Sequence, residues 1–174
     1  MHVTIYLPMK KYLTFAAVAL APFFLNAKEK PKEPAMPDLA LDKVTFGNVV
    51  NEADFDAKAL AGKVVVIELW GVNCAPCIAS LPEMQKMAKS GESKGLVVVG
   101  FEAQNSPKEA ILKVLKDARV KYPVMSGASL PLAADGIPHV AVFNTAGKLA
   151  WHGHPADEKF KSAVKAALKE VEKK

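Results

Sequence analysis

Two cysteines, Cys74 and Cys77, are the only thiols in the 174-residue chain, and two residues separate them. Residues three positions apart on a helix lie about 5–6 Å apart, which is within the span of a disulfide bond. A disulfide stabilises a fold mainly by closing a long loop, and this one would close almost none. The spacing therefore indicates a bond that is made and broken in a reaction.

The sequence around the cysteines predicts how the first sulfur is activated. Val64–Trp70 is β-branched and almost continuously apolar, as in a central strand, and a helical pattern covers roughly residues 75–90. Cys74 would then lie at a helix N-terminus, where unpaired backbone N–H groups stabilise a thiolate and lower the pKa of the thiol. Pro76 fits the first helical turn because its missing N–H has no helical partner there. We therefore predict that Cys74 attacks a partner's disulfide and that Cys77 resolves the mixed disulfide.

The elements that follow alternate between strands and helices. Gly95–Phe101 predicts a second buried strand, and the next helix is predicted with Ser106 as its N-cap and Pro107 at its first position. Two strands around a turn at 144–147 and a charged amphipathic helix complete the chain. This order predicts an α/β fold with one sheet and helices on both faces.

The composition fits one globular domain and narrows the range of partners. Hydrophobic residues make up 51% of the chain, which is enough to close a sizeable core. The formal net charge is +5 at pH 7, but the sequence has no basic tract with interleaved aromatic residues. Nucleic acid is therefore not an expected partner.

Residues 1–27 have the features of a secretory signal peptide. Two lysines precede an apolar run that ends at Leu25, and Ala27 offers a small residue for cleavage. The run is shorter than the roughly 20 apolar residues of a transmembrane helix, so we expect membrane attachment only through an uncleaved signal. Residues 28–38 are rich in Pro and Lys and predict an extended linker, and the folded domain is expected at 39–174. We therefore expect an exported protein of the periplasm or cell envelope.

Three segments of the chain resemble exported thioredoxin-like thiol-disulfide oxidoreductases of the TlpA/ResA-like family: LWGVNCAPC, GIPHVAVFN and GKLAWHG. The resemblance covers residues 39–174 and implies the thioredoxin fold, an α/β fold with a central mixed sheet and helices on both faces. It implies that the CAPC site reduces partner-protein disulfides by dithiol exchange and uses no cofactor. The implied partners are exported proteins with disulfides or dithiols, and an electron donor that the sequence does not identify. The Ala-Pro insert adds no charge, which favours a reducing site over a strong oxidant.

The resemblance also implies roles for individual residues. Trp70 would pack beside the cysteine pair, and Pro138 would be the cis-proline that faces the disulfide. The backbone of Ile137 would hydrogen-bond an extended segment of the partner, as in strand addition. Gly153 corresponds to the glycine after the last strand, near the same rim.

Glu68 is a carboxyl group inside an apolar strand, at the position where related proteins often have a buried Asp or Asn beneath the second cysteine. Burial would raise its pKa and let it exchange a proton with Cys77. The alternative is a solvated strand position without a catalytic role. Ser80 lies where some exported members have a glutamate, so no thiol-tuning role is carried over to it.

Two further polar residues are candidates for the partner-binding rim. His139 stands where the family usually has Thr after the cis-proline. A cationic ring would stabilise the Cys74 thiolate and make the disulfide more oxidising, whereas a neutral ring could bind a metal. The alternative is a hydrogen-bonded surface histidine without a role in the reaction. Glu102 follows the second buried strand, at the carboxyl edge where α/β sheets place their ligands. It either shapes the partner groove or belongs to an ordinary polar loop.

Two other functions could use the same residues. A copper- or zinc-binding metallochaperone would hold its metal with Cys74, Cys77 and His139, although structural zinc sites generally take four ligands. A thiol peroxidase of the same fold would have a Thr three residues before its nucleophile, and Gly71 stands at that position. The sequence therefore favours dithiol exchange.

Overall fold

The computed structural model describes residues 1–2 and 36–172 of the chain. The chain divides into two units, Met1–Pro34 and Ala35–Lys174, and the second contains the fold. Apart from its first two residues, the predicted signal peptide lies outside the described residues, and so does the predicted linker up to residue 35. None of the described helices is long and apolar enough to cross a membrane.

The described part of the domain contains six strands and three α-helices, which alternate from β2 to β4. Their bounds are β1 Asn48–Val49, β2 Val64–Trp70, α1 Ala75–Gly91, β3 Leu96–Glu102, α2 Lys108–Asp117, β4 Val124–Ser126, β5 His139–Phe143, β6 Leu149–Gly153 and α3 Glu158–Val171. Short 3-10 helices lie at Leu41–Lys43, Ala57–Leu60 and Glu92–Lys94. The two buried strands predicted from the sequence correspond to β2 and β3.

The strands form one mixed sheet in the order β1-β4-β3-β2-β5-β6. β2 pairs in parallel with β3 and antiparallel with β5, and β6 continues antiparallel from β5. β4 extends the sheet in parallel from β3, and β1 pairs antiparallel with β4. The predicted mixed sheet is thus confirmed. Because β2 is central, its last residue, Trp70, brings the chain to the middle of one sheet edge, where the cysteine helix begins.

Side chains of the central strands alternate between two hydrophobic clusters, one on each face of the sheet. In β2, Val64, Val66 and Trp70 join the cluster that contains buried residues of all three α-helices, whereas Val65 and Ile67 join the other. The second cluster is covered by the segment before β2, with its 3-10 helices, and by apolar residues of the loop at 128–132. Helical segments thus lie on both faces, but one face carries the α-helices and the other only short 3-10 helices.

The start of α2 differs from the prediction. The helix begins at Lys108, with Pro107 as the capping residue and no side-chain cap, so Ser106 is not the N-cap. Ser106 instead donates its backbone N–H and its hydroxyl to the two carboxylate oxygens of Glu102, at 2.9 and 2.8 Å. The buried carboxylate needs hydrogen-bond donors, and Ser106 supplies both of these.

Candidate active site

Cys74 and Cys77 are joined by a disulfide bond at the N-terminus of α1, with sulfur atoms 2.03 Å apart and Cα atoms 5.2 Å apart. Cys74 is the N-cap residue, and the backbone N–H of Cys77 donates to its sulfur at 3.3 Å. Cys77 is fully buried, whereas Cys74 is 8% exposed. Reduction of the bond would therefore leave Cys74 as the accessible sulfur, held by a helix N–H group that favours its thiolate.

The loop before β5 faces the first sulfur. Its Ile137–Pro138 peptide bond is cis, and the carbonyl oxygen of Ile137 lies 3.7 Å from Cys74 Sγ. Pro138 is buried and Ile137 is half-buried. Within the part of the chain that the structure describes, the backbone N–H of Ile137 has no hydrogen-bond partner. The fold thus brings this loop to the disulfide and leaves an unpaired backbone donor there.

Glu68 is fully buried in β2, so the solvated position considered as the alternative does not occur. Its carboxylate accepts hydrogen bonds from the hydroxyls of Ser80 at 2.8 Å and Tyr122 at 3.0 Å. Burial raises the pKa of Glu68 to about 7, although both hydrogen bonds act in the opposite direction. Ser80 Oγ also lies 2.8 Å from the carbonyl oxygen of Cys77. One hydroxyl group therefore links the buried carboxyl group to the turn that carries the second cysteine.

Sequence reasoning missed Ser80 and Tyr122 as partners of Glu68. Ser80 follows Cys77 by three residues in α1, so helical spacing alone could have placed the two residues on one side of the helix. Tyr122 lies 54 residues from Glu68, in the segment between α2 and β4. No local pattern connects them, because their contact depends on the pairing of β4 with β3.

His139 pairs with a second histidine. Its Nε2 atom lies 3.1 Å from Nδ1 of His152, and the ring centroids are 5.3 Å apart. Burial lowers the pKa of His139 and the neighbouring His152 lowers it further, while Asp135 opposes the effect and His154 adds to it. The net lowering of the pKa favours a neutral His139 ring over the cationic ring that would stabilise the Cys74 thiolate. Sequence analysis assigned no role to His152, whose position depends on the register of the β5–β6 hairpin.

The loop between β2 and α1 is tied to the loop after β3. The backbone N–H of Asn73 donates to Oε1 of Gln104 at 2.9 Å. A Cβ atom added at Gly71 would lie 2.4 Å from Cδ of the same glutamine. Gln104 therefore packs over the entry to the cysteine turn, a contact that the sequence did not predict.

Trp70 and Glu102 both lie below the surface. Trp70 is fully buried in the cluster that contains both cysteines, and its indole N–H has no hydrogen-bond partner among the residues described. Glu102 is 3% exposed, and Ser106 occupies both of its carboxylate oxygens. In this structure Glu102 stabilises the turn between β3 and α2. Contact of Trp70 or Glu102 with a partner protein stays a prediction.

The metallochaperone alternative requires a group of metal ligands. No group of three or more His, Cys, Asp or Glu side chains that could hold a metal ion occurs in residues 1–2 and 36–172. Cys74, Cys77 and His139 therefore do not form such a group in this structure, and the alternative gains no support from it.

Gly153 ends β6 at a point where Trp151 leaves no room for a side chain. An added Cβ would lie 2.8 Å from the Trp151 ring, which stacks on Phe160 with ring centroids 5.7 Å apart. We expect Gly153→Ala to lower the free energy of unfolding by about 1–3 kcal/mol, because the stacked ring must shift. Gly136→Ala is the matched control, since both glycines have a φ of +157° and Gly136 has open space around it. Urea unfolding measures the free energy of unfolding of both variants. An equal decrease for Gly153→Ala and Gly136→Ala would show that contact with the Trp151 ring is not the cause.

Comparisons with known proteins identify the family of the chain. The Redoxin family profile matches residues 31–168. The chain is 29% identical over 69 residues to the thiol-disulfide oxidoreductase ResA of Bacillus cereus (strain ZK / E33L), covering 40% of this chain and 39% of ResA. It is 31% identical over 88 residues to Protein DipZ of Mycobacterium tuberculosis (strain CDC 1551 / Oshkosh), covering 51% of this chain and 12% of DipZ. The chain thus spans only a minor part of these curated relatives.

A solved structure shows the fold. The thiol:disulfide interchange protein, thioredoxin family protein from Chlorobium tepidum TLS matches with a TM-score of 0.60 and 24% sequence identity, covering 78% of this chain and 99% of that chain. The predicted thioredoxin fold is confirmed by this match and by the mixed sheet. The chain belongs to the Redoxin family, and its folded domain has the thioredoxin fold.

Proposed function

We propose that the chain is an exported thiol-disulfide oxidoreductase that reduces the disulfides of partner proteins. The observation that carries this proposal is the position of Cys74, which caps α1, receives a helix N–H on its sulfur and lies 3.7 Å from the carbonyl oxygen of Ile137. A sulfur held in this way ionises readily and attacks a disulfide. Cys77 is buried one helical turn away and can displace what Cys74 captures.

The exchange proceeds in two steps. In the reduced protein, the Cys74 thiolate attacks the partner's disulfide; a mixed disulfide forms, and the partner's second sulfur leaves as a thiolate. Cys77 then gives its proton to the Glu68 carboxylate and attacks Cys74 Sγ, which releases the partner's first sulfur as a thiolate. The partner gains two electrons from the dithiol and two protons, one through Glu68 and one from solvent. A dithiol electron donor then reduces the Cys74–Cys77 bond again.

The partner is proposed to bind as an extended segment beside the cis-proline loop. The unpaired backbone N–H of Ile137 suits the addition of such a segment, and the carbonyl of the same residue lies next to Cys74 Sγ. Backbone contacts of this kind accept many sequences. They fit exported proteins with accessible disulfides or dithiols as a class of partners.

The reduction potential tests the direction of exchange. The CAPC insert carries no charge, and the lowered pKa of His139 removes the cationic ring that would favour an oxidant. We therefore expect a value closer to that of thioredoxin, about −270 mV, than to that of DsbA, about −120 mV. Equilibration with dithiothreitol and glutathione buffers, followed by alkylation and mass spectrometry, measures it. A value near that of DsbA would contradict a reductase.

Export is proposed from residues 1–27, in which Lys10 and Lys11 precede an apolar run and Ala27 offers a small residue for cleavage. Expression of the full chain in a Gram-negative host, followed by cell fractionation and mass spectrometry, tests it. We expect the protein in the periplasm with an N-terminus at Lys28. Recovery of the uncut chain from the cytoplasm would contradict this part of the proposal.

A further inference from the structure

Two hydroxyl groups meet on the buried carboxylate of Glu68, one on each oxygen. Ser80 donates to Oε1 at 2.8 Å, and Tyr122 donates to Oε2 at 3.0 Å. Ser80 belongs to α1, whereas Tyr122 lies between α2 and β4. A buried carboxylate without such donors would be strongly disfavoured in its charged form.

Tyr122 is held in place by contacts of its own. The side chain of Asn51 donates to the backbone carbonyl of Tyr122 at 2.9 Å and accepts from the backbone N–H of Val124 at 3.1 Å. Gly100 leaves room for the tyrosine ring, since a Cβ there would lie 3.3 Å from Tyr122 Cε2. Burial and the nearby Glu68 raise the pKa of Tyr122 well above its ordinary value, so its hydroxyl keeps the proton that it donates.

Ser80 has a second acceptor within reach. Its Oγ lies 2.8 Å from the carbonyl oxygen of Cys77 as well as from Glu68 Oε1, but a hydroxyl has only one proton to donate. When Glu68 is ionised, that proton is best placed on the carboxylate. When Glu68 is protonated, the hydroxyl can accept from the carboxyl group and donate to the carbonyl. The protonation of Glu68 is therefore coupled to the turn that carries the resolving cysteine.

We infer that Ser80 and Tyr122 are positioning residues of the exchange reaction: they hold Glu68 between them and keep its carboxylate able to take up the proton of Cys77. The inference rests on the proposed function, because it assigns this task within the same site. Without the two donors, burial would keep Glu68 protonated above neutral pH, and it could not accept a proton. With both donors, the carboxyl group titrates close to neutral pH.

Carbon-13 NMR titration of the Glu68 carboxyl group in the oxidised protein tests this inference, because disulfide-bonded cysteines do not titrate. We expect a wild-type midpoint at about pH 7. Tyr122→Phe and Ser80→Ala should each raise the midpoint by about 1–2 pH units, since each removes a hydrogen bond to a charged group. An unchanged midpoint in folded Tyr122→Phe or folded Ser80→Ala would overturn the inference.

Ser90→Ala is the matched control for Ser80→Ala. Ser90 lies in the same helix and donates to the carbonyl of Met87, three residues earlier, but this hydrogen bond is exposed and does not involve Glu68. We expect its midpoint to equal that of the wild type. A Ser90→Ala shift as large as that of Ser80→Ala would overturn the inference, because the effect would then come from the helix as a whole. Glu68→Gln identifies the signal by removing it.

The pH dependence of insulin reduction separates this inference from the proposed function. We expect the wild-type rate to change slope at about pH 7, and the Tyr122→Phe rate to change slope about 1–2 pH units higher. In a Glu68→Gln background, Tyr122→Phe should have no further effect. An active wild type whose pH profile Tyr122→Phe leaves unchanged overturns the inference alone. A wild type that reduces no disulfide overturns the proposed function, and the NMR midpoints still report on the hydroxyl contacts.

Discussion

Cys74→Ser is expected to lower disulfide reduction to the rate of the uncatalysed reaction, because the attacking sulfur is gone. Cys77→Ser should also lose turnover but keep the attack, since Cys74 still caps α1 and is the more exposed sulfur of the pair. The mixed disulfide then has no resolving thiol and accumulates. The two variants should therefore differ in trapping although neither turns over.

Insulin serves as the partner for both measurements. Precipitation of the insulin B chain with dithiothreitol as the electron donor measures turnover. Mass spectrometry under non-reducing conditions, after the reduced protein has been freed of dithiothreitol and mixed with insulin, measures the covalent adduct between the protein and an insulin chain. The double variant Cys74→Ser/Cys77→Ser sets the background. Adduct formation should occur with Cys77→Ser alone and disappear with dithiothreitol. Equal adduct formation by the two single variants would contradict the assignment of the attacking and resolving thiols.

Local sequence predicts the parts of the site that depend on neighbours along the chain. The apolar run of β2 and the helical pattern after it place Cys74 at a helix N-terminus, as the structure does. The cis-proline loop lies far from the cysteines along the chain, and only the family resemblance predicts that it faces the disulfide. In the structure its residue Ile137 contacts Cys74.

Contacts between distant strands could not be predicted from one sequence. Tyr122 reaches Glu68 because β4 pairs with β3 in a register that sets Gly100 beside Val124. The histidine pair depends likewise on the register of β5 and β6. A shift of one residue would turn every side chain of a strand to the other face of the sheet, and no local signal specifies the register of β4 against β3.

The sequence also did not predict which segment covers the second face of the sheet. In residues 39–60, the sequence suggests only a short strand or hairpin at 44–50 and a short helical or looped stretch after it, yet Leu39, Val44 and Leu60 are buried in the cluster on that face. The bonds that hold this segment run to distant parts of the chain: the backbone N–H of Leu149 donates to Leu39, and Thr45 exchanges two bonds with Ser129. Irregular segments of this kind have no helical or strand periodicity in their sequence, so a pattern search does not find them.

Glu68→Gln is expected to stabilise the oxidised protein above neutral pH by up to about 3 kcal/mol. The pKa of Glu68 is about 7 in the folded protein, compared with an ordinary value of 4.5. The folded protein therefore binds this proton more tightly than the unfolded chain does. The resulting stability is complete below pH 4.5 and is lost as the pH rises through about 7.

The size of the effect follows from the two pKa values, since each pKa unit corresponds to about 1.4 kcal/mol. Glutamine still offers polar atoms to the hydroxyls of Ser80 and Tyr122, but it carries no charge at any pH. Glu68→Gln should therefore not lose this stability as the pH rises. The difference in free energy of unfolding between the variant and the wild type should grow. Below about pH 4.5, where the carboxyl group is neutral in both the folded protein and the unfolded chain, the two proteins should have similar stability.

Urea unfolding of the oxidised proteins between about pH 4 and about pH 9 measures this difference. Glu83→Gln is the control, because Glu83 lies in α1 but is exposed and paired with Lys161 at 2.6 Å, and an exposed ion pair contributes only about 0–1 kcal/mol. The advantage of Glu68→Gln should develop between about pH 4.5 and about pH 7 and stay constant above that range, whereas the control should show no comparable rise. A constant difference across the whole range would mean that Glu68 binds its proton equally in the folded and unfolded states. Burial would then not prepare this carboxyl group to exchange a proton with Cys77.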